Sequence, residues 1–164
     1  GYPRMVTMDV SKEYMKFSAA HFTIFSAESR ERLHGHNFAV QAQVKFPVDE
    51  TGINFDYKEF KEALKEICDS LDEYTIIAAN SKFLTIQEEG DFYRIGHHDT
   101  EMFLRKDETL LLPISNSTIE ELSYYLLGRL LENKSMIDGN EVQYVAVKTS
   151  SGPGQWATSD WYRP

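Results

Sequence analysis

The chain has 164 residues, 41% of them hydrophobic, with 17 Lys+Arg against 26 Asp+Glu and a formal net charge of -9. That length suits one domain with a real core, and the acidic balance argues against a phosphate-backbone ligand, so nucleic acid is not expected as a partner. No apolar stretch reaches the roughly 18–20 residues of a membrane span, the first residues carry no secretion signature, and the single cysteine, Cys68, forms no internal disulfide, so a cytoplasmic protein is expected.

Taken in chain order, Tyr14–Phe25 is aromatic and apolar and predicts a strand. The polar stretch SAESRERLHG that follows it, Ser26–Gly35, has no period and predicts a loop. Phe38, Val40, Ala42, Val44 and Phe46 then alternate with polar residues, which predicts a half-buried strand ended by Pro47. Asn54-Phe55-Asp56 opens a helix with Asp56 as N-cap, and Tyr57, Phe60, Leu64, Ile67 and Leu71 form its apolar stripe. Cys68 lies beside that stripe and reads as a buried hydrophobe. Short apolar runs over 82–114, separated by polar turns, predict an inserted β-meander. Ser117-Thr118-Ile119-Glu120 predicts a capping box with Ser117 as N-cap and Glu120 as its reciprocal partner. Strands are predicted at Glu141–Lys148 and Gln155–Trp161. The order β-β-α-(β insertion)-α-β-β indicates an α+β fold with both helices on one sheet face. Residues 1–164 are read as one domain, with the insertion at about 82–114.

Histidines carry the chemistry. His34 and His36 are separated by one residue, so on a strand they project to one face. His21 lies near the end of the preceding strand, where a hairpin could bring it alongside. Three imidazoles with one open position are the donor set of a catalytic zinc site, although Fe²⁺ or Ni²⁺ would also suit. Read from spacing alone, one core histidine and two surface ones are the alternative. His97-His98 sits in a polar turn and reads as solvated.

The segments FSAAH (Phe17–His21), LHGHNF (Leu33–Phe38), GINFDYKEFK (Gly52–Lys61), Leu71-Asp72 and STIEEL (Ser117–Leu122) occur in an order and spacing that resemble the 6-pyruvoyl-tetrahydropterin synthase family, which includes the 6-carboxytetrahydropterin synthases. The resemblance implies the tunnelling fold: a four-stranded antiparallel sheet with two helices on one face. It also implies a homo-hexamer built as a dimer of trimers, a pterin-like small-molecule substrate bound between subunits, and Zn²⁺ on His21, His34 and His36.

Three departures from the family pattern bear on function. The catalytic cysteine that most members carry before the histidine pair is missing, and Glu31, three residues before His34, takes the place of the base used by a glutamate subgroup. That subgroup acts on 7,8-dihydroneopterin triphosphate and yields 6-hydroxymethyl-7,8-dihydropterin, a folate precursor. Second, Asp72-Glu73 stands where the family has an Asp-His relay, so both become catalytic candidates with the histidine lost. Third, Thr149 aligns with a glutamate that anchors the pterin ring, and a threonine supplies no charged bidentate acceptor. Glu120 and the neighbouring Thr118 match another ring-contacting position. The resemblance therefore implies a zinc-dependent lyase. A diverged paralogue with a different ring substrate, and a catalytically silent metal-holding oligomer, are the alternatives.

Overall fold

The computed structural model describes residues 3–53 and 56–164, so Asn54 and Phe55 of the expected helix opening lie outside the described residues. The strands are β1 (Arg4–Val10), β2 (Lys16–His21), β3 (His34–Val48), β4 (Tyr74–Ala78), β5 (Thr85–Glu89), β6 (Phe92–His97), β7 (Thr100–Arg105), β8 (Thr109–Leu112), β9 (Tyr144–Ser150) and β10 (Ala157–Tyr162). The helices are α1 (Tyr57–Leu71), α2 (Ile119–Leu131) and the short α3 (Lys134–Gly139).

The 15-residue β3 organises the sheet. Its alternation buries Phe38, Val40, Ala42, Val44 and Phe46 on one face, while Gln41, Gln43 and Lys45 line the other. One edge of β3 pairs antiparallel with β9, which pairs with β10. The other edge is shared: β2 pairs with its first part and β1 with its second. The four strands β2, β3, β9 and β10 form the expected antiparallel sheet, and β1 is an unexpected fifth. The main sheet is larger than expected, however, because β4 joins β2 in parallel and β8 joins β4 in parallel, for seven strands in all among the described residues. Pro47 does not end β3; it pairs opposite Met5. Among the described residues the β9 ladder stops at Lys45, two residues before Pro47, so the proline lies beyond the stretch in which β3 pairs with β9.

The two long helices cover the apolar face. Asp56 accepts from the Lys58 N–H at 3.0 Å and starts α1, which buries Phe60, Leu64, Ile67, Cys68 and Leu71. Leu122, Leu126, Leu127 and Leu130 of α2 pack on the same core. After α1 the chain turns through Glu73 in a left-handed conformation, φ 64°, and enters β4. No described helix is long and apolar enough to cross a membrane.

The insertion is a three-stranded antiparallel sheet, β5-β6-β7. The end of the expected meander, β8, belongs instead to the main sheet. Ile95 with Ile86, Met102 and Leu104 packs on Phe22, Ile24 and Ile77 in a second small core. That core lies under the loop joining β2 to β3.

Candidate active site

The β2–β3 register places His21 directly opposite His34, and His36 opposite Ala19. Same-face projection then gathers all three imidazoles. Their ring centroids lie 4.9 Å (His21–His34), 5.2 Å (His21–His36) and 4.7 Å (His34–His36) apart. One nitrogen from each lies within 4.8 Å of the other two. Phe38 floors the cluster, stacked on Phe17 at 5.0 Å and set edge-on to His21 at 5.2 Å.

Backbone carbonyls orient two of the rings. His21 Nδ1 meets the Ser117 carbonyl at 2.7 Å, and His34 Nδ1 meets the Arg32 carbonyl at 2.6 Å. A carbonyl only accepts, so each Nδ1 carries the proton and each neutral ring turns the lone pair of Nε2 inward. The His21 Nε2 is buried and has no hydrogen-bond partner among the described residues. The His34 and His36 Nε2 atoms stand 2.9 Å apart. A buried orphan acceptor costs free energy that a cation would recover. Carbonyl-held imidazoles are also the usual outer support of a metal site. The donor set therefore fits a zinc ion held by His21, His34 and His36.

Glu31 sits in the β2–β3 loop. Its N–H donates to the Thr23 carbonyl at 2.8 Å, and its Oε1 accepts from the Thr23 N–H at 2.8 Å. Partial burial pushes this carboxyl upward, but the Thr23 hydrogen bonds, with the electrostatic influence of the nearby His34 and His21, outweigh it and hold it below the ordinary glutamate range. Glu31 is thus a carboxylate at neutral pH, an acceptor beside the histidines. Cys68 is fully buried in α1, and burial, with Asp69 and Asp72 adding to it, pushes its thiol up to about 12. It is inert as a nucleophile at neutral pH.

The remaining candidates fall elsewhere. Asp72 caps the C-terminus of α1, and its Oδ1 accepts from the Ser18 N–H at 2.8 Å while the Ser18 carbonyl accepts from the Glu73 N–H at 2.7 Å. The pair stitches α1 to β2. Glu73 is exposed and, with Ser18, Gly35, His36 and Asn37, lines an open depression of about 350 Å³. Thr149, at the position aligned with the ring-anchoring glutamate, is fully buried, and its hydroxyl donates to the Ala39 carbonyl at 2.8 Å. The neighbouring Lys148 takes the open polar face, lining a second cavity with Gln41, Tyr144 and Thr158.

The capping box is also corrected. The N-cap of α2 is Thr118, which accepts from the Glu121 N–H at 3.2 Å. Ser117 is buried and engaged with His21, so Glu120 is an exposed first-turn residue with no capping partner to serve. His97 is buried rather than solvated, its Nε2 bonded to the Ser26 carbonyl at 2.9 Å. Sequence reasoning missed Ser117, Arg32 and Thr23, because they act through backbone groups that leave no residue-type signal.

The sequence profile of 6-pyruvoyl tetrahydropterin synthase matches residues 9–160. A solved 6-pyruvoyl tetrahydropterin synthase from Plasmodium vivax is 30% identical, superposes with a TM-score of 0.92, and aligns over 98% of this chain and 99% of its own. A P. vivax variant in which a catalytic residue, a glutamate, is replaced by alanine is 29% identical with the same TM-score and the same coverage of both chains. A Methanocaldococcus jannaschii protein provisionally named a 6-carboxy-5,6,7,8-tetrahydropterin synthase is 27% identical over 146 residues, 87% of this chain and 88% of that one.

Proposed function

The chain belongs to the 6-pyruvoyl tetrahydropterin synthase family, and from that premise we propose that it is a zinc-dependent lyase acting on the side chain of 7,8-dihydroneopterin triphosphate. The observation that carries the reading is the His21–His34–His36 cluster with the Glu31 carboxylate beside it and no reactive thiol. The P. vivax relative whose catalytic residue is a glutamate supports the same assignment of the base.

His21, His34 and His36 would hold the metal, which when bound supplies Lewis-acid polarisation of a side-chain hydroxyl. Glu31 takes the proton of the hydroxyl on the phosphate-side carbon of the breaking carbon–carbon bond, whose oxygen becomes the carbonyl of the departing aldehyde. The bonding pair moves toward the ring, and the ring-bound carbon is then protonated. The balance leaves 6-hydroxymethyl-7,8-dihydropterin and a two-carbon aldehyde carrying the triphosphate. Thr118 and Glu120, at the start of α2, are the proposed ring contacts, Asp72 and Glu73 the proposed relay. Assembly as a dimer of trimers is proposed from the family, and β10, which ends the main sheet among the described residues, offers an edge that a neighbouring subunit could extend.

One observation favours a second reading, a paralogue with a different ring substrate. Thr149 lies in the core and a lysine, not a carboxylate, takes the open face of β9. Incubation of zinc-loaded protein with 7,8-dihydroneopterin triphosphate, followed by product identification by mass, separates the readings. The first predicts 6-hydroxymethyl-7,8-dihydropterin. Turnover of another ring compound alone supports the second, and metal binding with no turnover supports a silent binding protein.

A further inference from the structure

Glu31 is held from outside its own loop. Asn116, the residue before Ser117, presents both ends of its side-chain amide to Ile24. Its Oδ1 accepts from the Ile24 N–H at 3.0 Å, and its Nδ2 donates to the Ile24 carbonyl at 2.8 Å. Ile24 is bridged to Arg30, and the adjoining pair, Thr23 and Glu31, makes the two hydrogen bonds that aim the carboxylate. One amide therefore ties the hairpin that carries Glu31 to the segment before α2.

The same Oδ1 accepts from the Ser117 N–H at 3.0 Å, and the Ser117 carbonyl holds His21. Two consecutive residues just before α2 thus reference the base and the buried histidine to a single point of the chain. Among the described residues, no hydrogen bond joins Asn116 to the histidines or to Glu31.

We propose that Asn116 is a positioning residue for the reaction: its two-point clamp on Ile24 sets where Glu31 stands relative to the His21 cluster. The inference rests on the reading of Glu31 as the base. Displacing a reacting group by about 1 Å costs on the order of 100-fold in rate, whereas the loop keeps its other anchors when the amide is lost: the Phe25 N–H donates to the Ser29 carbonyl at 2.9 Å, and His97 Nε2 meets the Ser26 carbonyl at 2.9 Å.

Asn116→Ala removes both arms of the clamp, and Asn116→Asp keeps the acceptor but loses the donor. Steady-state kinetics, zinc affinity by chelator competition and amide hydrogen exchange are measured on the zinc-loaded full chain. Expected for Asn116→Ala is a fall in kcat of roughly 10- to 100-fold with KM within about threefold of wild type. Exchange at the Ile24 and Thr23 amides accelerates at least about tenfold while the core amides of α2 keep their protection. Zinc affinity stays within about fivefold, because all three ligands remain. Asn116→Asp falls between the two. An Asn116→Ala enzyme with wild-type kcat, or with wild-type exchange at Ile24, overturns the proposal. So does a loss of kcat accompanied by equal loss of protection throughout, which is general destabilisation. A wild-type chain without lyase turnover would sink the proposed function instead, and the exchange measurement would still decide whether Asn116 holds the loop.

Discussion

His21 and Ser117 are 96 residues apart in sequence, and the imidazole Nδ1 of one meets the carbonyl oxygen of the other at 2.7 Å. That bond turns the second ring nitrogen, buried and without a hydrogen-bond partner among the described residues, toward His34 and His36.

Occupancy of this site is expected to stabilise the chain. At free zinc 100-fold above its dissociation constant the gain is about 2.7 kcal/mol, visible as a higher melting temperature that chelation removes and His21→Phe abolishes. The metal-free chain should also be acid-sensitive. Burial lowers the His21 pKa, the Ser117 hydrogen bond opposes this, and His34 and His36 lower it further. The folded state then takes up a proton less readily than the unfolded chain. Its stability is full above about pH 6.5 and declines as pH falls below that value. Melting of metal-free protein across pH 5–8 checks this, with a flatter profile expected for His21→Phe.

Cys68 should have no part in catalysis. Cys68→Ala is expected to keep wild-type kcat while losing some core packing, and the native thiol should resist alkylation at pH 8 until the chain unfolds. With the folded thiol pushed up to about 12, the neutral form is favoured by folding. The contribution is full below the unfolded value of about 8.5 and is lost as pH rises toward 12, at about 1.4 kcal/mol per pH unit. Urea denaturation between pH 8 and 11 should therefore fall more steeply for wild type than for Cys68→Ala.

Phe38 links the core to the site, since its fully buried ring stacks on Phe17 and meets His21 edge-on. Phe38→Ala is expected to cost about 3–5 kcal/mol in urea denaturation. It should also weaken zinc binding by roughly tenfold or more, because the floor that orients the rings is gone. Phe38→Leu should restore most of the stability and less of the affinity.

The histidine cluster was legible in the sequence because β3 alternates cleanly: Phe38 through Phe46 set the period, and the period puts His34 and His36 on one face. Helix α1 was legible for the same reason, through its apolar stripe and Asp56. Elements with short or mixed patterns were not. β1 shows its alternation only in Val6, Met8 and Val10, among Arg4 and Asp9. β4 is five residues directly behind a helix. The N-cap shifted from Ser117 to Thr118 because His21 claims Ser117, a contact between distant residues that no local pattern announces. The burial of Thr149 was not legible either, because alignment assigns a position, whereas the β9 pleat decides which face it takes.

Thr149→Val separates those two views. With the hydroxyl spent on the Ala39 carbonyl, the substitution should cost about 1 kcal/mol of stability and leave KM within about twofold of wild type. A large rise in KM with unchanged stability would restore Thr149 as a ligand contact.

The account stands most directly on Glu31. Glu31→Gln keeps the side-chain shape but removes the negative charge and most of its basicity. At zinc occupancy matched to wild type, kcat with 7,8-dihydroneopterin triphosphate is predicted to fall by roughly 100- to 10,000-fold. A Glu31→Gln enzyme that turns over this substrate within about threefold of wild type would contradict the assignment.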